Sequence, residues 1–268
     1  MTKKRAAPLP APETAPAFAT PALRDAVAQA YATFRGGEAL AGPLDVCTYC
    51  CCPAEVEREL REWPRRRLTA RHFYQYNDSA KSEVQPVPEL RHLLPRLLEL
   101  VALGEEIHHS TELFLDRLGR CPEGTWSTKE RQVLDAFAAA YFEGVLREDA
   151  LRRFDGPLDI LLMFDIGGFD VAPLLDAWLA CGDPRATALF VEATYFHFWE
   201  CTDYVNAFAT NRPAFRAQLR AWILEPANRL RFAEKLLASD FEALATQRQA
   251  VGRMSFATMV DAVYDQLA

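Results

Sequence analysis

The stretch GPLDILLMFDIGGFDVAPLLDAWLACGDPRATALF, residues 156–190, decides the fold class. Pro157 suits the first turn of a helix, where its missing N–H would find no partner in any case, and Gly167-Gly168 ends the apolar run that follows. Asp170 caps a second run, Gly182 closes it, and Asp183-Pro184 opens a third. Apolar runs joined by such short turns read as three helices, each antiparallel to the next.

The same signals recur on either side. Ser127-Thr128-Lys129-Glu130 is a capping box, and Val133, Leu134, Phe137, Tyr141, Phe142 and Val145 line one side of the helix it opens. Leu90, Leu93, Leu94, Leu97, Leu98 and Val101 form a stripe closed by Gly104. Thr69 is a cap for a helix to Ala80, Pro53 starts one that Pro64 ends beyond Trp63, and residues 21–34 form one stopped by Gly36-Gly37. Downstream, 213–225, 227–238, 240–250 and 256–267 each carry Pro, Ser or Asp near the start. Strand-like alternation is nowhere sustained. The expectation is an all-α single domain of roughly ten short-to-medium helices packed antiparallel, as an irregular bundle or a short solenoid-like array. Residues 1–20, rich in Ala and Pro, read as a flexible leader to a helical domain over 21–268, with 120–126 the place where that domain could divide. The paired short helices between Asp155 and Phe208 resemble those of HEAT-type solenoids, although no repeat period aligns.

Half of the 268 residues are hydrophobic, enough for a sizeable core. A net charge of −7 argues against non-specific nucleic-acid binding and suits a basic protein partner. Lys is scarce beside Arg, and Ala is abundant, as in a GC-rich bacterial genome. Lys3-Lys4-Arg5 begins like an export signal, but Pro8, Pro10, Pro12, Glu13 and Pro16 interrupt the helix such a signal needs. Uncharged runs fall well short of the ~20 residues of a membrane helix, so a soluble, cytoplasmic protein with no membrane partner is expected. Seven cysteines, four of them bunched, do not space out a disulfide framework, and reduced thiols are the default.

The bunch is Cys47-Thr48-Tyr49-Cys50-Cys51-Cys52. Cys47-x-x-Cys50 has the spacing with which two thiolates grip a tetrahedral Zn²⁺, and Cys51 and Cys52 offer alternatives. Completion would fall to His197 and Cys201, four residues apart on the helix expected from Pro184, with His72 as a substitute. The plainer reading is that these cysteines pack as small hydrophobes beside Tyr49. A thioredoxin-like redox role is disfavoured, since no strand precedes the pair.

Three further groups carry potential chemistry. Arg58, Arg61, Arg65, Arg66, Arg67 and Arg71, near Trp63, Phe73, Tyr74 and Tyr76, suggest RNA or single-stranded DNA, but Glu55, Glu57, Glu59 and Glu62 are interleaved and a solvated helix face fits better. Glu105-x-x-His108 and Glu106-x-x-His109 have the spacing of di-metal carboxylate bundles, with His197-x-x-Glu200 as the partner pair; a polar interhelical loop is the plainer account. His197, Glu200, Cys201 and Tyr204 would share one face of an aromatic helix. Phosphate-loop, dinucleotide, nucleophile-elbow and HExxH motifs are absent from the sequence, which lowers the prior for nucleotide enzymes and common hydrolases. The leading expectation is a non-enzymatic bacterial protein-binding module, of inhibitor or immunity type, for a basic partner and without a cofactor. The alternative is a metalloprotein, with structural zinc at Cys47 and Cys50 or as a helical di-metal oxygenase-like enzyme.

Overall fold

The computed structural model of the chain describes residues 18–34, 40, 42–147, 156–199, 203–248 and 254–267. Most of the Ala/Pro-rich leader and the Gly36-Gly37 stop lie outside these. Among the described residues the chain is helical, in the order α1 (Pro21–Thr33), α2 (Ala54–Glu62), α3 (Ala70–Asn77), α4 (Val87–Ala102), α5 (Asp116–Gly119), α6 (Thr128–Arg147), α7 (Pro157–Ile166), α8 (Ala172–Ala180), α9 (Pro184–Thr194), α10 (Pro213–Leu224), α11 (Pro226–Leu236), α12 (Ser239–Gln247) and α13 (Phe256–Leu267). The extended pairing among them is a single antiparallel bridge between Val46 and Ala80.

The expected boundaries follow from the caps. Ser127 and Glu130 close the capping box reciprocally, the Ser127 amide donating to Oε2 of Glu130 at 2.9 Å and the Glu130 amide to Ser127 Oγ at 3.3 Å. Asp183 accepts from the Arg185 amide at 2.9 Å, and Asp170 from the Ala172 amide at 3.0 Å. Gly104 and Gly168, with φ of +69° and +77°, supply the left-handed residues after α4 and α7.

Packing distinguishes between the two all-α arrangements. In a solenoid each unit meets only its neighbours along the chain. Here α1 lies on α4 and α6, α6 also meets α7, α8 and α9, and α9 in turn meets α11, α12 and α13. This is an irregular bundle around α6 and α9, with one connected set of buried side chains running from Leu23 to Leu267. The turn at 120–126 lies between α5 and α6, and that buried set continues on both sides of it. Gly119 is tied to this packing: a Cβ there would stand 1.8 Å from the Ile166 carbonyl oxygen, so only glycine lets α5 close on the end of α7.

One expected helix is shorter than its pattern. The helix from Pro184 ends at Thr194, whose hydroxyl donates back to the Phe190 carbonyl at 2.7 Å, and Tyr195–Trp199 form a wider i→i+5 turn. Five consecutive bulky residues, four of them aromatic and the fifth His197, crowd an α-helical turn, and the wider turn relieves them. No helix among the described residues is long and apolar enough to cross a membrane.

Candidate metal centre

The segment before α2 is fixed at its base by buried polar groups. The Leu44 amide donates to Glu57 Oε1 at 2.9 Å, and the Asp45 amide to Glu89 Oε2 at 2.7 Å. The Asp45 carbonyl accepts from both terminal nitrogens of Arg117, each at 3.3 Å. Arg117 is 1% exposed. Its guanidinium lies 3.8 Å from the Tyr76 ring centroid, donates to the Tyr76 carbonyl and to Gln85 Oε1, and pairs with Glu89 at 3.6 Å. A buried charge this well partnered holds its surroundings in one arrangement, because losing any partner strands the rest. Two residues beyond Asp45, the Cys47 amide donates to the Ser79 carbonyl at 2.7 Å, beside the Val46–Ala80 bridge.

On that base sits a tight turn. The Cys51 and Cys52 amides both donate to the Cys47 carbonyl, at 3.4 and 3.0 Å. The turn sends the Cys52 side chain into the core, fully buried, and leaves Tyr49 at its tip 98% exposed. The other three sulfurs converge on the outside: Cys47 Sγ lies 3.3 Å from Cys50 Sγ, Cys50 Sγ lies 2.9 Å from Cys51 Sγ, and all three fall within 4.8 Å of one another. They are free thiols. The Cys50 amide, then the Cys50 thiol and the Tyr49 amide, lower the Cys47 pKa, so its thiolate is favoured. Hydrogen bonding to Cys51 and Cys47 pushes the Cys50 thiol up to about 12, and burial raises Cys52. Two thiolates on one ion with Zn–S of ~2.3 Å stand ~3.8 Å apart, so loading asks the sulfurs to move by less than ~1 Å.

The residues expected to complete the site lie elsewhere or outside the described residues. Cys201 and Glu200 fall among the latter. His197 belongs to the wide turn after α9 and Tyr204 lies outside any helix, so these two do not share the α-helical face expected of them. The His197 ring packs 5.0 Å from that of Tyr204, and burial lowers its pKa. Around it the Tyr204 hydroxyl donates to Asp159 Oδ1 at 2.7 Å, while Asn206 bridges Asp159 at 3.2 Å and Glu112 at 2.5 Å. His72 is consumed locally, its Nδ1 accepting from the Thr69 amide at 3.1 Å and its Nε2 meeting Glu59 at 3.0 Å.

The Glu-x-x-His spacing at 105–109 has no helix to act on, since α4 ends at Ala102 and Glu105 and Glu106 are exposed. The arginine segment is largely tied down: Arg61 to Glu57, Arg66 to Glu99 and across the Tyr31 ring, Arg65 to the Phe34 carbonyl, and Arg67 over Trp63. Of these, Arg61 meets an interleaved glutamate on α2, whereas Arg65–Arg67 follow that helix and are held by other groups. Comparison with known protein families, curated proteins and solved structures finds no match. Function is therefore read from the site itself. Among its parts, the anchoring Arg117 carries no local sequence signal, whereas Cys51 was visible in the motif as an alternative ligand.

Proposed function

We propose that this chain binds a thiophilic metal ion, of the Zn²⁺ or Cu⁺ class, through the thiolates of Cys47, Cys50 and Cys51. One observation carries the reading: three sulfurs lie within 4.8 Å of one another on a surface turn whose base is fixed to buried groups. Soft sulfur donors select these ions, and three of them leave one tetrahedral position for water, a further ligand or an acceptor. A site open on its solvent side suits an exchangeable ion better than a sealed structural one.

Protein binding draws less support. The open groove between α11 and α13 is lined by Leu230, Ala233, Leu237, Tyr264 and Leu267, with Arg229 and Glu234 balancing each other in charge, so it offers no acidic face to a basic partner.

The test is metal analysis of untagged protein purified under reducing conditions, before and after dialysis against Zn²⁺. The parent is expected to hold about one equivalent more than protein carrying Cys47→Ser or Cys50→Ser; a difference of less than about a tenth of an equivalent would overturn the reading.

A further inference from the structure

A second set of donors includes Asp78, the residue before Ser79, whose carbonyl receives the Cys47 amide. Asp78, His108 and His109 each direct a ligand-capable atom to a common point, the three atoms lying within 4.8 Å of one another. We propose that these three residues form a second metal site, for one divalent transition cation of the imidazole-preferring class, independent of the thiol turn.

The chain brings them together by a pin between the residues just before them. Asn77, the last residue of α3, is buried and donates from Nδ2 to the Ile107 carbonyl at 2.9 Å, and Ile107 is itself fully buried. Asp78 follows Asn77 and His108 follows Ile107, so one buried hydrogen bond fixes both sides of the cluster. Gly104, with φ of +69°, turns the chain out of α4 towards this position.

The three groups are dissimilar in exposure. His108 is 8% exposed, with its ring 4.3 Å from that of His109. His109 and Asp78 are about half exposed, and His109 Nδ1 stands 3.6 Å from Asp78 Oδ1. That distance is longer than a hydrogen bond and short enough for both atoms to reach one ion. Two imidazoles and one carboxylate on one side leave the remaining positions to water, the donor set that suits Zn²⁺, Fe²⁺, Co²⁺ or Ni²⁺ over Ca²⁺ or Mg²⁺. Nδ1 of His108 accepts from the His109 amide at 2.9 Å. Coordination through Nδ1 displaces that amide, and coordination through Nε2 moves the ring proton to Nδ1, so either mode releases the same backbone bond. The His109 amide is thus a reporter of loading.

The experiment removes the thiol site first. Untagged protein carrying Cys47→Ser, Cys50→Ser and Cys51→Ser is titrated with Zn²⁺ by calorimetry, and with Ni²⁺ while backbone amides are followed by NMR. One equivalent of Zn²⁺ is expected, with the His109 amide among the resonances that move or broaden. His109→Ala, at an exposed position that leaves packing intact, should weaken binding at least about tenfold, as should Asp78→Asn. His197→Ala should change nothing. Absence of binding in the triple-serine protein, or binding unaffected by His109→Ala, would overturn the proposal without bearing on the thiol turn.

Discussion

The cysteine turn at 47–51 and the cluster around Asp159 both gather ionisable side chains, and they use them in opposite ways. Around Asp159, each group meets a complementary one: the Tyr204 hydroxyl and the Asn206 amide donate to one carboxylate oxygen, and the Gly156 amide reaches the other at 3.1 Å. Burial and the neighbouring Asp159 raise the Tyr204 pKa, so the phenol stays protonated and keeps donating. In the cysteine turn Cys47 Sγ accepts from the Cys50 and Tyr49 amides, and the three outer sulfurs otherwise meet one another, weak donors and weaker acceptors. Matched partners make a cluster part of the scaffold; like donors converging on one another leave room for an ion.

The sharpest way to break that contrast is to attack the base of the turn. Arg117→Met strands Glu89 as a buried charge and frees the Asp45 carbonyl, and should lower stability by about 3–5 kcal/mol in urea denaturation. A loss under ~1 kcal/mol would mean that the turn is not held from below. Next in size, Cys47→Ser or Cys50→Ser should reduce Zn²⁺ affinity about 100-fold, measured against a chelator, while stability without metal stays within ~0.5 kcal/mol. Tyr204→Phe should do the reverse: about 2 kcal/mol of stability lost with the hydrogen bond to a charged acceptor, and metal content unchanged.

The smallest effect concerns His92 on α4, whose ring nitrogens are both buried without a partner. Burial, then Arg65, lowers its pKa, so the folded protein holds it neutral while the unfolded chain takes up a proton near the ordinary value of about 6.5. The unfolded state binds the extra proton, and stability must fall as pH drops from about 6.5 towards the lowered folded value. His92→Leu should flatten that part of the stability profile between pH 7 and 5, read by denaturation at each pH; an unchanged slope would assign it to other groups.

Much of the helical fold was legible because its punctuation is local. Proline at helix starts, Asp170, Asp183 and Ser127 as caps, and glycine after α4 and α7 act over three or four residues, the range a sequence pattern covers. What failed to show was set at longer range. The four-residue α5 depends on Gly119 meeting Ile166, and α9 stops early where aromatic crowding outweighs an apparently continuous helical spacing. The candidate site divides the same way. Cys47 and Cys50 stood out by spacing, whereas Asp78 meets His108 and His109 only through the Asn77–Ile107 bond, thirty residues apart in sequence.

The most direct test of the thiol turn is X-ray absorption at the zinc edge of protein loaded with one equivalent, with Asp78→Asn and His109→Ala removing the second donor set. Three sulfur neighbours at ~2.3 Å, dropping to two in Cys51→Ser, are predicted. A first shell of nitrogen and oxygen alone would contradict the assignment of Cys47, Cys50 and Cys51 as the metal-binding centre.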